Sequence, residues 1–283
     1  MGWLLGQVSN NAVAILGIEV EKLALFLSAI ALAQPWAVDW WKRRYCQGTV
    51  TVHPTKWNQI GYGVAGPTIR LIGNIRAIER EQFVQSMTLE VKRAKNSATN
   101  NFEWRFFNLD MLAYQPAQNW RQELPMGFMV APVQSYRYDI TFGDAKIEEE
   151  EMRPLLQGIW DMWNHQWLSS LQTFTDIAEN NFDQSLIATV TQQVQDAFLN
   201  SQEYRDAVVE LERLSFWEQG SYDLRLTIHL ADPDKTVSVD SSFEITKEEA
   251  NGFRVNAELI GLGAIGLSLP RKLYEADKKS LGL

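Results

Sequence analysis

Hydrophobic and polar residues alternate along several segments of this chain in the pattern typical of β-strands. The alternation is clearest over residues 68–78, 87–91, 102–106 and 136–142, where apolar side chains occupy every second position. Each segment therefore has one apolar and one polar face, as strands do in antiparallel sheets with one side in water. Several short strands at this spacing predict a β-sandwich.

A helical period replaces the alternation near Ile147. The acidic residues 148–151 suit the first turn of a helix, and a broad apolar face follows that includes Trp160, Trp163 and Trp167. We predict a second helix capped by Asp183 and a third beginning around Asn200, which would form a capping-box-like pair with Glu203. Alternation returns over 221–230, and Thr246 with Glu249 predicts a capping box at the start of a last helix.

The order of these elements predicts an α+β fold, an immunoglobulin-like antiparallel β-sandwich with a helical insertion. An N-terminal apolar helix precedes it. The expected divisions are an anchor and juxtamembrane segment (1–47), the first part of the sandwich (48–145), the insertion (146–218) and returning strands with a C-terminal helix and tail (219–283). Separate β and α+β domains are the alternative. The strand pattern of 68–107 resembles half of an immunoglobulin-like or arrestin-like sandwich, but no Cys…Trp…Cys framework accompanies it.

Residues 23–38 contain no ionisable side chain, and paired tryptophans and three cations follow shortly afterwards. This is the order of groups met on leaving a bilayer through its interface. The expected anchor residues are Leu23, Phe26, Ile30, Trp36, Trp40, Trp41, Lys42, Arg43 and Arg44. The alternative is a buried or amphipathic soluble helix, because a full span needs about 20 apolar residues.

The charges around this stretch predict an orientation. Residues 1–20 contain no Lys or Arg, which argues against a cleaved signal peptide. Cations gather on the cytoplasmic side of membrane segments, so Lys42, Arg43 and Arg44 place the rest of the chain there. We therefore expect a single-pass transmembrane protein of the cell (inner) membrane with a cytoplasmic main domain.

The composition excludes several functional classes. A formal net charge of -9 argues against a nucleic-acid-binding surface, which needs a basic stripe. Cys46 is the only cysteine, so neither an intramolecular disulfide nor a CxxC metal or redox site can form. The sequence contains no phosphate-binding loop, nucleophile elbow, zinc protease or kinase motif, and His53, His165 and His229 are widely separated. We expect no cofactor, no metal and no enzymatic activity.

The leading hypothesis is a membrane-anchored, non-enzymatic interaction or scaffold protein. The tryptophans Trp160, Trp163 and Trp167, spaced i, i+3, i+7, are the candidate protein-binding face, with core packing as the other interpretation. A homo-oligomer is compatible with the sequence. The alternative function is a module that binds a lipid-like or hydrophobic ligand and is associated with a membrane complex. An enzyme with an unfamiliar carboxylate site is a third reading.

Overall fold

The computed structural model describes residues 20–45, 48–109, 121–178, 184–231, 234–267 and 273–279. The chain divides into two compact units, Met1–Thr49 and Val50–Leu283. The described part of the first unit contains one helix, α1 (Val20–Tyr45), with Pro35 inside it. The apolar stretch 23–38 lies within this helix.

The second unit is built on an antiparallel sheet with ten described strands. Its strands are β1 (Thr49–Gly63), β2 (Gly66–Ile78), β3 (Gln82–Arg93), β4 (Thr99–Leu109), β5 (Arg121–Glu123), β6 (Phe128–Val130), β7 (Tyr136–Gly143), β8 (Gly220–Ala231), β9 (Asp234–Ile245) and β10 (Glu275–Lys279). The strand order is β10-β1-β2-β7-β4-β3-β8-β9, while β5 pairs with β4 and β6 with β3. The sheet curls into a half-barrel, and its two edge strands, β9 and β10, approach each other.

Four helices accompany the sheet in the described part of this unit. They are α2 (Arg153–Ala178), α3 (Gln184–Leu199), α4 (Gln202–Leu214) and α5 (Lys247–Ala264). A π-helical segment, Ile147–Met152, leads directly into α2. All four of the acidic side chains predicted to begin a helix, residues 148–151, lie there, and arginines pair with two of them. Arg105 pairs with Glu148, and Arg213 lies 3.0 Å from Glu151.

The predicted α+β class with antiparallel strands is confirmed, but the immunoglobulin-like arrangement is not. An immunoglobulin-like sandwich packs two sheets face to face, whereas all ten described strands here belong to one hydrogen-bonded sheet. Strand β8, which follows the helices in the chain, pairs with β3 over nine residue pairs from Val84↔Leu230 to Arg93↔Tyr222. The strands before and after the helical segment therefore share one sheet.

The core is a single cluster formed by alternate strand positions and the inner faces of the helices. On β2, the buried side chains include Ile69, Leu71 and Ile75, as the alternation predicts. The helices contribute Ile159, Phe198, Leu211 and Phe253 to the same cluster. One face of the sheet is thus covered by helices, and the polar positions of the strands lie on the other.

The helix starts test the capping predictions. The capping box is confirmed: the Thr246 hydroxyl accepts a hydrogen bond from the Glu249 amide, and the Glu249 carboxylate accepts one from the Thr246 amide. The prediction for the third helix is wrong by one residue. The Ser201 hydroxyl caps α4 by accepting a hydrogen bond from the backbone amide of Tyr204 at 3.2 Å. The side-chain amide of Asn200 instead donates to the Asp196 carbonyl in the preceding helix. The predicted cap Asp183 lies outside the described residues.

Candidate functional site

The most conspicuous surface in the described part of the chain is that of α1. Every side chain from residue 24 to 41 is exposed, and Trp36 reaches 82%. Phe26, Ile30, Trp40 and Trp41 are exposed as well. The side chains of Leu23, Lys42, Arg43 and Arg44, the other expected anchor residues, lie outside the described part of the structure.

The large apolar side chains of α1 lie on more than one side of the helix. At 100° per residue, Leu25, Leu32 and Trp36 lie along one side, and Phe26 and Ile30 lie along another. Ser28, Pro35 and Asp39 lie along a third side.

None of the described helices combines the length and the apolar composition that a membrane crossing requires. The predicted single transmembrane pass is therefore unsupported by the described residues.

The three tryptophans of α2 have unequal surroundings. Trp163 packs against the core, with its ring centroid 5.4 Å from that of the buried Phe198. Trp167 stacks on Trp163 at 5.9 Å. Trp160 is 43% exposed. Leu168 and Leu171, further along the same helix, are also exposed. The structure thus brings Trp163 and Trp167 together and leaves Trp160 facing solvent.

A strained residue follows α4. Phe216 has a φ of 62°, a left-handed conformation that is rare for a bulky side chain. Such residues cost of order 1–3 kcal/mol, persist only where their surroundings enforce them, and cluster at functional sites. Aromatic contacts hold Phe216 in this conformation. Its ring centroid lies 5.1 Å from that of Trp217, 5.9 Å from that of Tyr222 and 6.3 Å from that of Phe102.

Arg93 stabilises the turn that contains Phe216. Its side chain is 7% exposed, its guanidinium lies 5.2 Å from the Phe216 ring centroid, and it donates to the Phe216 carbonyl. It also pairs with Glu218 at 3.0 Å. Burial raises the pKa of the Tyr222 hydroxyl, so this phenol stays neutral; it accepts from the Glu218 amide and donates to the Glu218 carbonyl.

Trp217 fixes the other side of the same turn. Its ring is buried and stacks on Phe102 with a centroid distance of 5.9 Å and an interplanar angle of 9°. Its indole N–H donates to the Gly61 carbonyl at 2.8 Å. The turn after α4 is consequently tied to β1, β3 and β8.

A polar cluster occupies the sheet face opposite the helices. Arg70 donates to both carboxylate oxygens of Asp139, at 2.7 and 2.6 Å. Asn108 donates to Asp139 at 3.0 Å and to Thr141 at 2.9 Å. The Asp139 side chain is only 6% exposed, and its bidentate arginine partner compensates the cost of burying its charge. We interpret the cluster as a structural clamp between β2, β4 and β7.

The histidines and acids do not assemble a metal centre in the described residues, where no three His, Cys, Asp or Glu side chains lie close enough to hold an ion. His229 lies beside Thr88, 3.4 Å from its hydroxyl.

Sequence reasoning singled out the stretch within α1 and the α2 tryptophans as candidates, but not the Phe216 turn or the Arg70–Asp139 cluster. The alternation over 136–142 places Asp139 on the polar face of its strand, which was the one available signal. No signal in the sequence marks Phe216, because a positive φ on phenylalanine follows from tertiary packing.

Comparison of the sequence with protein-family models gives no match, and neither do comparisons with curated proteins and with solved structures.

Proposed function

We propose that this chain is a non-enzymatic interaction or scaffold protein that attaches to the cytoplasmic surface of a membrane through α1. The observation that supports the proposal is the exposure of the large apolar side chains of α1 between residues 24 and 41. Burying each large apolar side chain is worth about 1.5–3 kcal/mol. A helix of this composition therefore gains most when another molecule provides the apolar surroundings.

A membrane interface suits both the apolar run and its flanks. The uncharged run 23–38 measures roughly 24 Å along a helix axis, less than the hydrocarbon thickness of about 30 Å. Tryptophans favour the interface, and each Lys or Arg near an anionic leaflet adds about 1 kcal/mol. Three tryptophans and the cations Lys42, Arg43 and Arg44 lie together at the C-terminal end of the run. In this proposal α1 lies in the membrane interface, and the C-terminal end of its uncharged run holds it there.

The face of α2 is the proposed contact surface for a protein partner. Its exposed row is Trp160, Leu168 and Leu171, since Trp163 packs on the core. Partner-capture experiments should therefore use Trp160→Ala, because Trp163→Ala would report on packing as well.

Vesicle flotation of the full chain tests the attachment. We expect the wild type to float with vesicles of phosphatidylcholine and phosphatidylglycerol, and to float less with phosphatidylcholine alone. Leu25→Asp combined with Leu32→Asp should abolish flotation, because both residues lie on one exposed side of α1. The matched control, Leu124→Asp with Val133→Asp, alters two strongly exposed residues of the second unit and should float normally.

Two results would contradict the membrane proposal. One is flotation that the Leu25→Asp and Leu32→Asp changes leave intact. The other is a wild type that does not float but forms a defined oligomer by light scattering, which those changes dissociate. That result would assign α1 to an interface between copies of the chain.

A further inference from the structure

A groove lies beside the strained turn after α4. Its lining comes from the last turns of α4, the first two turns of α5 and the segment between α4 and β8, which contains Phe216 and Trp217 and is called the floor below. Lys95, from the turn between β3 and β4, completes its edge. The groove has a volume of about 490 Å³, within the usual range of small-molecule sites.

The floor of the groove contributes apolar aromatic surface. The Phe216 ring is half-buried, and the left-handed backbone that places it there is held by the aromatic cluster and by Arg93. Val209 on α4 adds an aliphatic side chain that is 62% exposed. Preorganised apolar surface of this kind binds ring systems without losing side-chain freedom.

The rim of the groove carries uncommitted positive charge. Arg213 is occupied by Glu210 and Glu151, and Glu218 is occupied by Arg93. Lys95, Lys247 and Arg254 form no ion pair with any described residue. Glu212 is then the one lining acid without an ion pair among the described residues. The whole chain has a formal net charge of -9, so the rim of the groove is a positively charged region on an acidic protein.

The start of α5 supplies one of these cations. Lys247 occupies the first position of the helix and lines the groove, whereas the two acids of the same turn, Glu248 and Glu249, do not line it. Arg254 lies seven residues later on the same face, about 10 Å along the axis. Lys247 and Arg254 therefore lie near opposite ends of the wall that α5 forms.

We propose that this groove binds a small organic anion with a flat apolar body, such as an aryl phosphate, sulfonate or carboxylate. The ring lies against Phe216 beside Val209, and the anionic group is attracted by the cations of the rim, Lys95, Lys247 and Arg254. This site is independent of α1 and of the proposed attachment to a membrane.

Isothermal titration calorimetry of the full chain with 1-naphthyl phosphate tests the proposal. We expect saturable binding at one site per chain, with inorganic phosphate binding at least about tenfold more weakly because it cannot use the floor. Lys247→Glu with Arg254→Glu should weaken binding by about a hundredfold, since each removes an attraction and adds a repulsion. Both side chains are exposed, and an acid is favourable in the first turn of a helix, so the variant should fold.

Lys146→Glu with Lys235→Glu is the matched control, since it makes the same change of net charge away from the groove and should leave binding unchanged. If the double variant of α5 unfolds, Lys247→Gln with Arg254→Gln replaces it and should weaken binding about tenfold. The proposal is overturned if wild type shows no saturable binding, if phosphate binds as tightly as its naphthyl ester, or if the control loses as much affinity as the α5 variants.

Discussion

Phe216 shows how packing overrides the conformational preference of a single residue. A left-handed backbone costs an L-residue roughly 1–2 kcal/mol, because its Cβ approaches the following carbonyl. The contacts of the Phe216 ring with Trp217, Tyr222 and Arg93 offset that cost. The strain and the ring packing can be separated by substitution.

Replacing Phe216 by glycine or by alanine removes the same ring, but only glycine relieves the backbone. We expect both variants to be less stable than the wild type, and Phe216→Gly to be more stable than Phe216→Ala by about 1 kcal/mol. Urea denaturation measures the difference. At Phe128, which lies on strand β6, the order should reverse, because glycine weakens a strand. An alanine variant at 216 as stable as the glycine variant would contradict the account.

At the scale of elements, α5 is positioned by the first turn that also caps it. Glu249 completes the capping box with Thr246 and pairs with Lys278 of β10, so one carboxylate joins the helix start to a sheet edge. Further along, the buried Asn256 donates to the carbonyls of Tyr62 and Tyr274 and accepts from the Tyr274 amide. These contacts set the angle at which α5 crosses the sheet, and hence one wall of the groove.

The Glu249 carboxylate makes this joint pH-dependent. Burial by itself would raise the pKa of Glu249, but hydrogen bonds from Lys278 and Thr246 outweigh it and hold the pKa below its usual value. A lowered folded-state pKa contributes stability above the unfolded-state pKa of about 4.3, and this contribution is lost as the pH falls through the lower value.

We therefore expect Glu249→Gln to be less stable than the wild type at pH 7 by roughly 2 kcal/mol, the contribution of one hydrogen bond to a charged group. The difference should begin to shrink as the pH falls below about 4, where the unfolded chain starts to bind this proton, and should disappear once the pH is below the lowered folded-state pKa of Glu249. Urea denaturation across this range measures it. Glu248→Gln alters the exposed neighbouring acid and should show little difference at any pH. A deficit at Glu249 that does not change with pH would assign its role to shape alone.

At the scale of the whole molecule, the two compact units differ in what they contain. The buried apolar cluster described here lies wholly within Val50–Leu283 and joins four helices and nine of the ten described strands, all except β5. The described residues of Met1–Thr49 are those of α1 and of the start of β1, and from residue 24 to 41 they are exposed. The second unit thus holds the folding core, and α1 holds the surface proposed for attachment.

A chain beginning at Gly48 should therefore fold. We expect its melting temperature, followed by circular dichroism, to lie within a few degrees of that of the full chain. A chain beginning at Gly66 is the control and should not fold, because it lacks β1 with the core residues Ile60 and Tyr62. Failure of the Gly48 chain to fold would show that the N-terminal segment takes part in folding and is not only an attachment element.

The sequence by itself determined the local features of this protein. Strand alternation, the Thr246–Glu249 capping box and the apolar stretch 23–38 are read from spacings of a few residues, since side-chain direction repeats every two residues in a strand and about every 3.6 in a helix. Only the tertiary structure decided the single curled sheet, the unequal surroundings of Trp160 and Trp163, and the left-handed Phe216. It also brought Lys95 and Lys247 to one groove across some 150 positions of sequence. These features depend on pairings between distant segments, whose free energy is set by the packing of the whole and is not encoded in any local pattern.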